Sequence, residues 1–130
     1  MPAPAGKGYA YNRTRQAYLA TDLAVADTHL TRLFGLMGMS ATNFGAEKGL
    51  WIVPCRGVHT MAMRFPIDVV YLDASKIVVH LEENLRPWRV APVRWRAATV
   101  LELPSNTVNR THTSVGDAID IGVGGDGVPA

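Results

Sequence analysis

Apolar and polar positions in this chain alternate over short runs, the period of strands rather than of helices. The densest run is Ile67-Asp68-Val69-Val70-Tyr71-Leu72, which is rich in β-branched and aromatic residues. Pro66 before it suits a strand start, because proline lacks a donor and holds the preceding residue extended. Apolar side chains on both faces of this run predict burial on both sides. Asp68 is the exception, tolerated only near a strand end or beside a donor. Asp73-Ala74-Ser75-Lys76 reads as a turn, so residues 66–72 and 77–82 are expected to pair as a hairpin. In the second arm Ile77, Val79 and Leu81 share the expected inward face. Val78, His80 and Glu82 take the outward face, which makes His80 a solvated strand residue.

Further strands are expected at residues 50–53, ended by Pro54, and at 99–103, where Glu102 faces away from Leu101 and Leu103. Residues 115–121 read as a turn and a last strand with Ile119 and Ile121 on one face. Residues 15–26 alternate weakly, as one strand or a bent pair. The clear helical period is Leu30, Leu33, Phe34 and Met37, with Asp27 or Thr28 as cap and Gly38 as stop. It predicts one short helix near residues 28–38. Residues 40–48 and 105–113 read as polar connections. Tight turns between six or so short strands predict a mainly β domain with antiparallel pairing. Residues 1–14 are expected to be a disordered tail, 15–122 a single domain, and 123–130 a flexible Gly-rich tail.

Composition narrows the class without naming a function. The 130 residues are 48% hydrophobic, which argues against general disorder and suffices for a core. The single cysteine excludes an intrachain disulfide framework and a cysteine-rich zinc site. The N-terminal residues lack the apolar segment of a signal peptide, and no run has the length of a membrane helix. A cytoplasmic protein without a membrane partner is the expectation. The formal net charge of +2 is too small to imply a polyanion partner. Its distribution is uneven: residues 84–97 hold Arg86, Arg89, Arg94 and Arg96 with no acid, leaving −2 for the remainder. Trp88 and Trp95 interleave with these arginines, and Pro87 and Pro92 break regular structure, so this is a long basic-aromatic loop.

Several pieces recur in a known order. They are Arg32-x-x-Gly35-Leu36-Met37, Pro66-Ile67-Asp68-Val69-Val70-Tyr71-Leu72-Asp73, Val100-Leu101-Glu102-Leu103-Pro104 and Gly116-Asp117. Each is weak alone, but the ordered set, spanning about residues 15–121, resembles the DUF192 family of small bacterial and archaeal proteins. Where many members carry W-M-K-N-T, this chain has His59-Thr60-Met61-Ala62-Met63, similar to a variant branch with Cys and His-Thr. The resemblance implies a mainly β, sandwich-like or distorted-barrel fold with a short helix, and no reaction.

The candidate chemistry gathers around residues 51–73. If residues 57–63 are extended, His59, Met61 and Met63 share a face. With Cys55 nearby they form a set that suits a soft metal such as Cu(I). Core packing is the preferred reading of the methionines, so no metal or cofactor is assigned. Cys55 and His59 are a thiol–imidazole pair without a recognised motif. Asp68 and Glu102 both sit in apolar strands and could act as paired carboxylates. Asp117 after Gly116 reads as a turn residue. The Arg/Trp loop could stack and neutralise a nucleic acid, but the lack of basic excess elsewhere disfavours it. A small polar molecule, a sugar or an anion, is the more economical ligand. The expected binding set is His59, Met61, Met63, Asp68, Trp88, Arg89 and Glu102, with no catalytic residue assigned. The alternatives are a hydrolytic or thiol-dependent enzyme using Cys55/His59 or Asp68/Glu102, and an accessory module that binds a protein or nucleic acid through residues 84–97.

Overall fold

A computed structural model describes residues 7–27, 44–56 and 65–124. Its strands are β1 (Gly8–Asn12), β2 (Ala17–Ala26), β3 (Lys48–Ile52), β4 (Ile67–Leu72), β5 (Val78–Leu85), β6 (Thr99–Pro104) and β7 (Ile119–Gly122). One short helix, α1 (Thr107–Thr111), lies between β6 and β7. The strands form one sheet in the order β5-β4-β6-β3-β2-β1-β7. The sheet curls until its two edges touch at one end. There Ile77 bridges Ala118, the Val78 N–H donates to the Asp117 carbonyl (2.9 Å), and the Gly116 N–H donates to the Val78 carbonyl (2.8 Å). The result is a half-barrel, in agreement with the mainly β, distorted-barrel expectation. Among the described residues no helix is long and apolar enough to cross a membrane.

The turn chemistry is local and works as expected between β4 and β5. The Asp73 carboxylate accepts from the N–H groups of Ser75 (2.9 Å) and Ile77 (3.0 Å), an aspartate turn that sets the hairpin. Lys76 takes the left-handed φ of 62° needed to complete it. β4 is buried along its whole length because β5 and β6 flank it and both of its faces are covered. One face joins a core of Leu19, Leu23, Val70, Leu72, Leu101, Leu103 and Val108. The other joins Phe44, Leu50, Ile52, Phe65, Ile67, Val69, Tyr71 and Val100.

Four expectations need correction. Residues 8–12 are not part of a disordered tail: Gly8–Asn12 is strand β1, paired with both β2 and β7. Its side chains alternate between buried and half-buried, so burial on the curled sheet outweighs a glycine-rich approach. Pairing is not wholly antiparallel, since β2 and β3 run parallel, with Asp22 opposite Lys48 and Ala26 opposite Ile52. Within the polar stretch 105–113, Thr107–Thr111 is helical rather than a plain connection. In β5 the strict alternation fails, because the register shifts between the Tyr71 and Leu72 positions. A bulge of this kind reverses side-chain parity beyond it, so Val78 is buried and His80 turns to Tyr71. The expected helix near 28–38 lies outside the described residues.

Candidate functional site on the Glu102 face

The site is best built from strand register. Directly opposed residues in a sheet share a face. Glu82 opposes Val69, Val69 opposes Glu102, and Glu102 opposes Leu50. One row across β5, β4, β6 and β3 therefore reads Glu82, Val69, Glu102, Leu50. The next row reads His80, Tyr71, Val100, Ile52 by the same pairings. Phe44 and Phe65 stack over this face with ring centroids 5.6 Å apart. Ala91 and Ala97 of the Arg/Trp loop bury their side chains on it, and Cys55 packs against it. The loop is thus anchored on the Glu102 face, as a cover would be.

Glu102 is the chemical anomaly of this surface. It is 3% exposed, and its Oε1 has no hydrogen-bond partner among the described residues. Burial raises its pKa from the ordinary 4.5 to about 8, because a carboxylate loses more solvation than a neutral acid does. At neutral pH the side chain is therefore a neutral acid, able to donate one hydrogen bond and accept another. Its sequence neighbours Leu101 and Leu103 belong to the opposite core.

In the next row, across β4, lies a second polar group that the sequence assigned to solvent. His80 packs edge-on against the Tyr71 ring, centroids 4.9 Å apart. Its Nε2 pairs with the Glu82 carboxylate and lies 3.4 Å from Arg94 Nη2. Tyr71 donates its hydroxyl to the Pro92 carbonyl (2.9 Å), which ties the Arg/Trp loop to the sheet. Burial, reinforced by the charge on Glu82, pushes the Tyr71 hydroxyl pKa well up. His80 and Glu82 are two apart on a strand and so share a face. That spacing was the available signal, but without knowledge of the bulge it could not say which face.

The expected binding residues do not all meet. Asp68 opposes Leu103 on β6 and so points away from Glu102. Both of its carboxylate oxygens are engaged: Oδ1 accepts from the Asn84 N–H and Oδ2 from the Val108 N–H, each at 2.8 Å. That arrangement is structural and cannot pair the two carboxyls on one substrate. The acid that shares the Glu102 row is Glu82. Trp88 and Arg89 are exposed on the loop rather than turned in to the sheet. His59, Met61 and Met63 lie outside the described residues, as does the imidazole half of the Cys55/His59 pair. Among the described residues no cluster of three His, Cys, Asp or Glu side chains could hold a metal ion.

Comparison with known proteins agrees with the architecture. A solved structure of a protein of unknown function from Novosphingobium aromaticivorans superposes with a TM-score of 0.74 at 18% identity, covering 87% of this chain and 82% of that one. A UPF0127 protein from Thermococcus sibiricus is 30% identical over 114 residues, covering 84% of this chain and 71% of the relative. A UPF0127 protein from Pyrococcus abyssi is 29% identical over 118 residues, 87% of this chain and 97% of the relative. The family model DUF192, described as "Uncharacterized ACR", matches residues 10–121, and the chain belongs to that family.

Proposed function

We propose that the domain recognises a small polar ligand, a sugar or a small anion, on the face that carries Glu102. The observation that carries this reading is the buried Glu102 carboxyl, one oxygen of which has no partner among the described residues. Folded proteins rarely leave a buried polar atom unsatisfied, and a buried acid costs stability unless it serves another purpose. A ligand hydroxyl or anion oxygen would supply the missing partner. Apolar neighbours such as Val69 and Leu50 would exclude water, and the loop anchored by Ala91 and Ala97 would border the site. His59, Met61 and Met63 are expected contacts from the sequence alone and lie outside the described residues. Asp68 is not a contact, because its two oxygens already hold backbone N–H groups.

The test is a thermal melt against sugars and small anions, repeated on Glu102→Ala and His59→Ala. A specific ligand at 100 times its Kd adds about 2.7 kcal/mol, a shift of several degrees. The shift is expected to vanish in Glu102→Ala and to shrink in His59→Ala. Unchanged affinity in both variants removes the assignment.

A further inference from the structure

We infer that the Arg/Trp loop is a docking ridge for a protein partner, and that it takes an acidic segment bearing aliphatic or aromatic side chains. The inference is independent of the Glu102 ligand. Five large apolar side chains remain exposed among the described residues, and four of them lie on this loop: Trp88 at 67%, Val90 at 73%, Val93 at 56% and Trp95 at 81%. A small domain with a buried core has no need to concentrate such groups in the eight residues 88–95 unless something covers them.

The ridge is held in place rather than trailing. Ala91 and Ala97 are its buried anchors, and Tyr71 holds the Pro92 carbonyl. Arg94 N–H donates to the Arg56 carbonyl (2.9 Å), Ala97 N–H donates to the Arg94 carbonyl (3.0 Å), and Arg56 Nε donates to the Ala97 carbonyl (3.2 Å). The Arg56 guanidinium lies 6.0 Å from the centre of the Trp95 ring. An aromatic fixed in this way loses little entropy on binding, which is what a hot spot requires.

Charge selects the partner. Arg86, Arg89, Arg94 and Arg96 are all exposed, and the stretch 84–97 contains no acid. Among the described residues no carboxylate forms an ion pair with Arg56, Arg94 or Arg96. An acidic segment complements this field. Beneath the ridge, Val79, Val93, Arg94, Trp95 and Arg96 line a cavity of about 260 Å³. That is smaller than the ~300–1,000 Å³ that encloses a drug-sized ligand, and it suits one inserted apolar side chain flanked by guanidinium groups. Nucleic acid fits less well, because the exposed valines cannot stack on bases and the rest of the chain is net negative. An anionic bilayer surface fits less well too, because the rest of the chain is net negative and would be repelled by it.

The test is panning of a displayed random-peptide library on the purified chain, with counter-selection on the Trp88→Ala/Trp95→Ala double variant. Enrichment of acidic sequences carrying Leu, Ile, Phe or Trp is expected. A synthetic peptide of that composition should lose at least about tenfold in affinity for the double variant. Arg94→Glu/Arg96→Glu should weaken it as well and flatten its salt dependence. Val115→Ala, at an exposed apolar position off the loop, should bind as the parent does. Circular dichroism and melting confirm that each variant folds. Three outcomes overturn the inference: enrichment without acidic bias, equal binding to the double variant, or no enrichment while single-stranded DNA or phosphatidylserine vesicles bind.

Discussion

Asp68 and Glu102 stand on adjacent strands one register step apart, and their carboxyls leave the sheet on opposite faces. This one-residue offset gives the two acids different jobs. Asp68 meets backbone N–H groups on both oxygens and holds the fold together. Glu102 meets apolar side chains and has one oxygen without a partner among the described residues, which makes it the candidate for ligand chemistry.

Asp68→Ala should destabilise the chain by about 3 kcal/mol, since two charge-assisted bonds vanish and the buried Val108 N–H is left without its acceptor. Asp68→Asn keeps an acceptor oxygen and should lose less. Urea unfolding at constant m measures both. A loss for Asp68→Ala within about 0.5 kcal/mol, the range of ordinary surface substitutions, would remove the structural role assigned to this carboxyl.

Glu102 predicts the alkaline behaviour. Its folded pKa of about 8 lies above the ordinary 4.5, so the folded state binds more protons between these values. The stability it contributes is fully present below about pH 4.5 and is lost as pH rises towards 8. Glu102→Met removes that slope and should be the more stable protein at pH 8, by on the order of 4 kcal/mol at most. Denaturant midpoints at a series of pH values give the comparison. Parallel profiles for parent and variant contradict it.

Asp117 predicts the acid limb. Burial works to raise its pKa, but the Asn12 side-chain amide, the Ser114 N–H and Arg15 together hold it below the ordinary 3.8. Its stabilisation is therefore present above about pH 3.8 and is lost as pH falls through the lowered value. Asp117→Asn should cost about 2 kcal/mol at neutral pH and should flatten the stability profile below pH 4. Acid titration followed by circular dichroism separates the two proteins.

Tyr71→Phe removes the hydroxyl that the Pro92 carbonyl accepts. The expected cost is about 1 kcal/mol, with the Arg/Trp loop loosened more than the sheet. Amide exchange should quicken at residues 88–96 while β4 and β6 keep their protection. Uniform loss of protection across the sheet would mean that the bond stabilises the whole domain and not the loop.

Features that depend on neighbours along the chain are legible in the sequence. The β4–β5 hairpin was legible because Asp73 closes its own turn and the flanking runs are β-branched. The β6 and β7 strands were legible from alternation, and so was the placing of Glu102 on the face opposite Leu101 and Leu103. The ordered motifs led to the family. Features that depend on residues far apart in the chain emerge only when the sheet is assembled. Helix α1 has a left-handed Asn106 before it and no side-chain cap of its own. Its Val108 N–H is instead held by Asp68, 40 residues earlier, a capping partner that no local reading can supply. Strand β1 looked like a tail because its order comes from β2 and β7 on either side. His80 looked solvated because a single bulge reverses parity, and a pattern of period two carries no mark of where the period slips. Whether Glu102 was paired or solitary depended on which faces of β3, β4 and β6 came together. That is a question of register between strands, and it is settled only by the packing of the whole sheet.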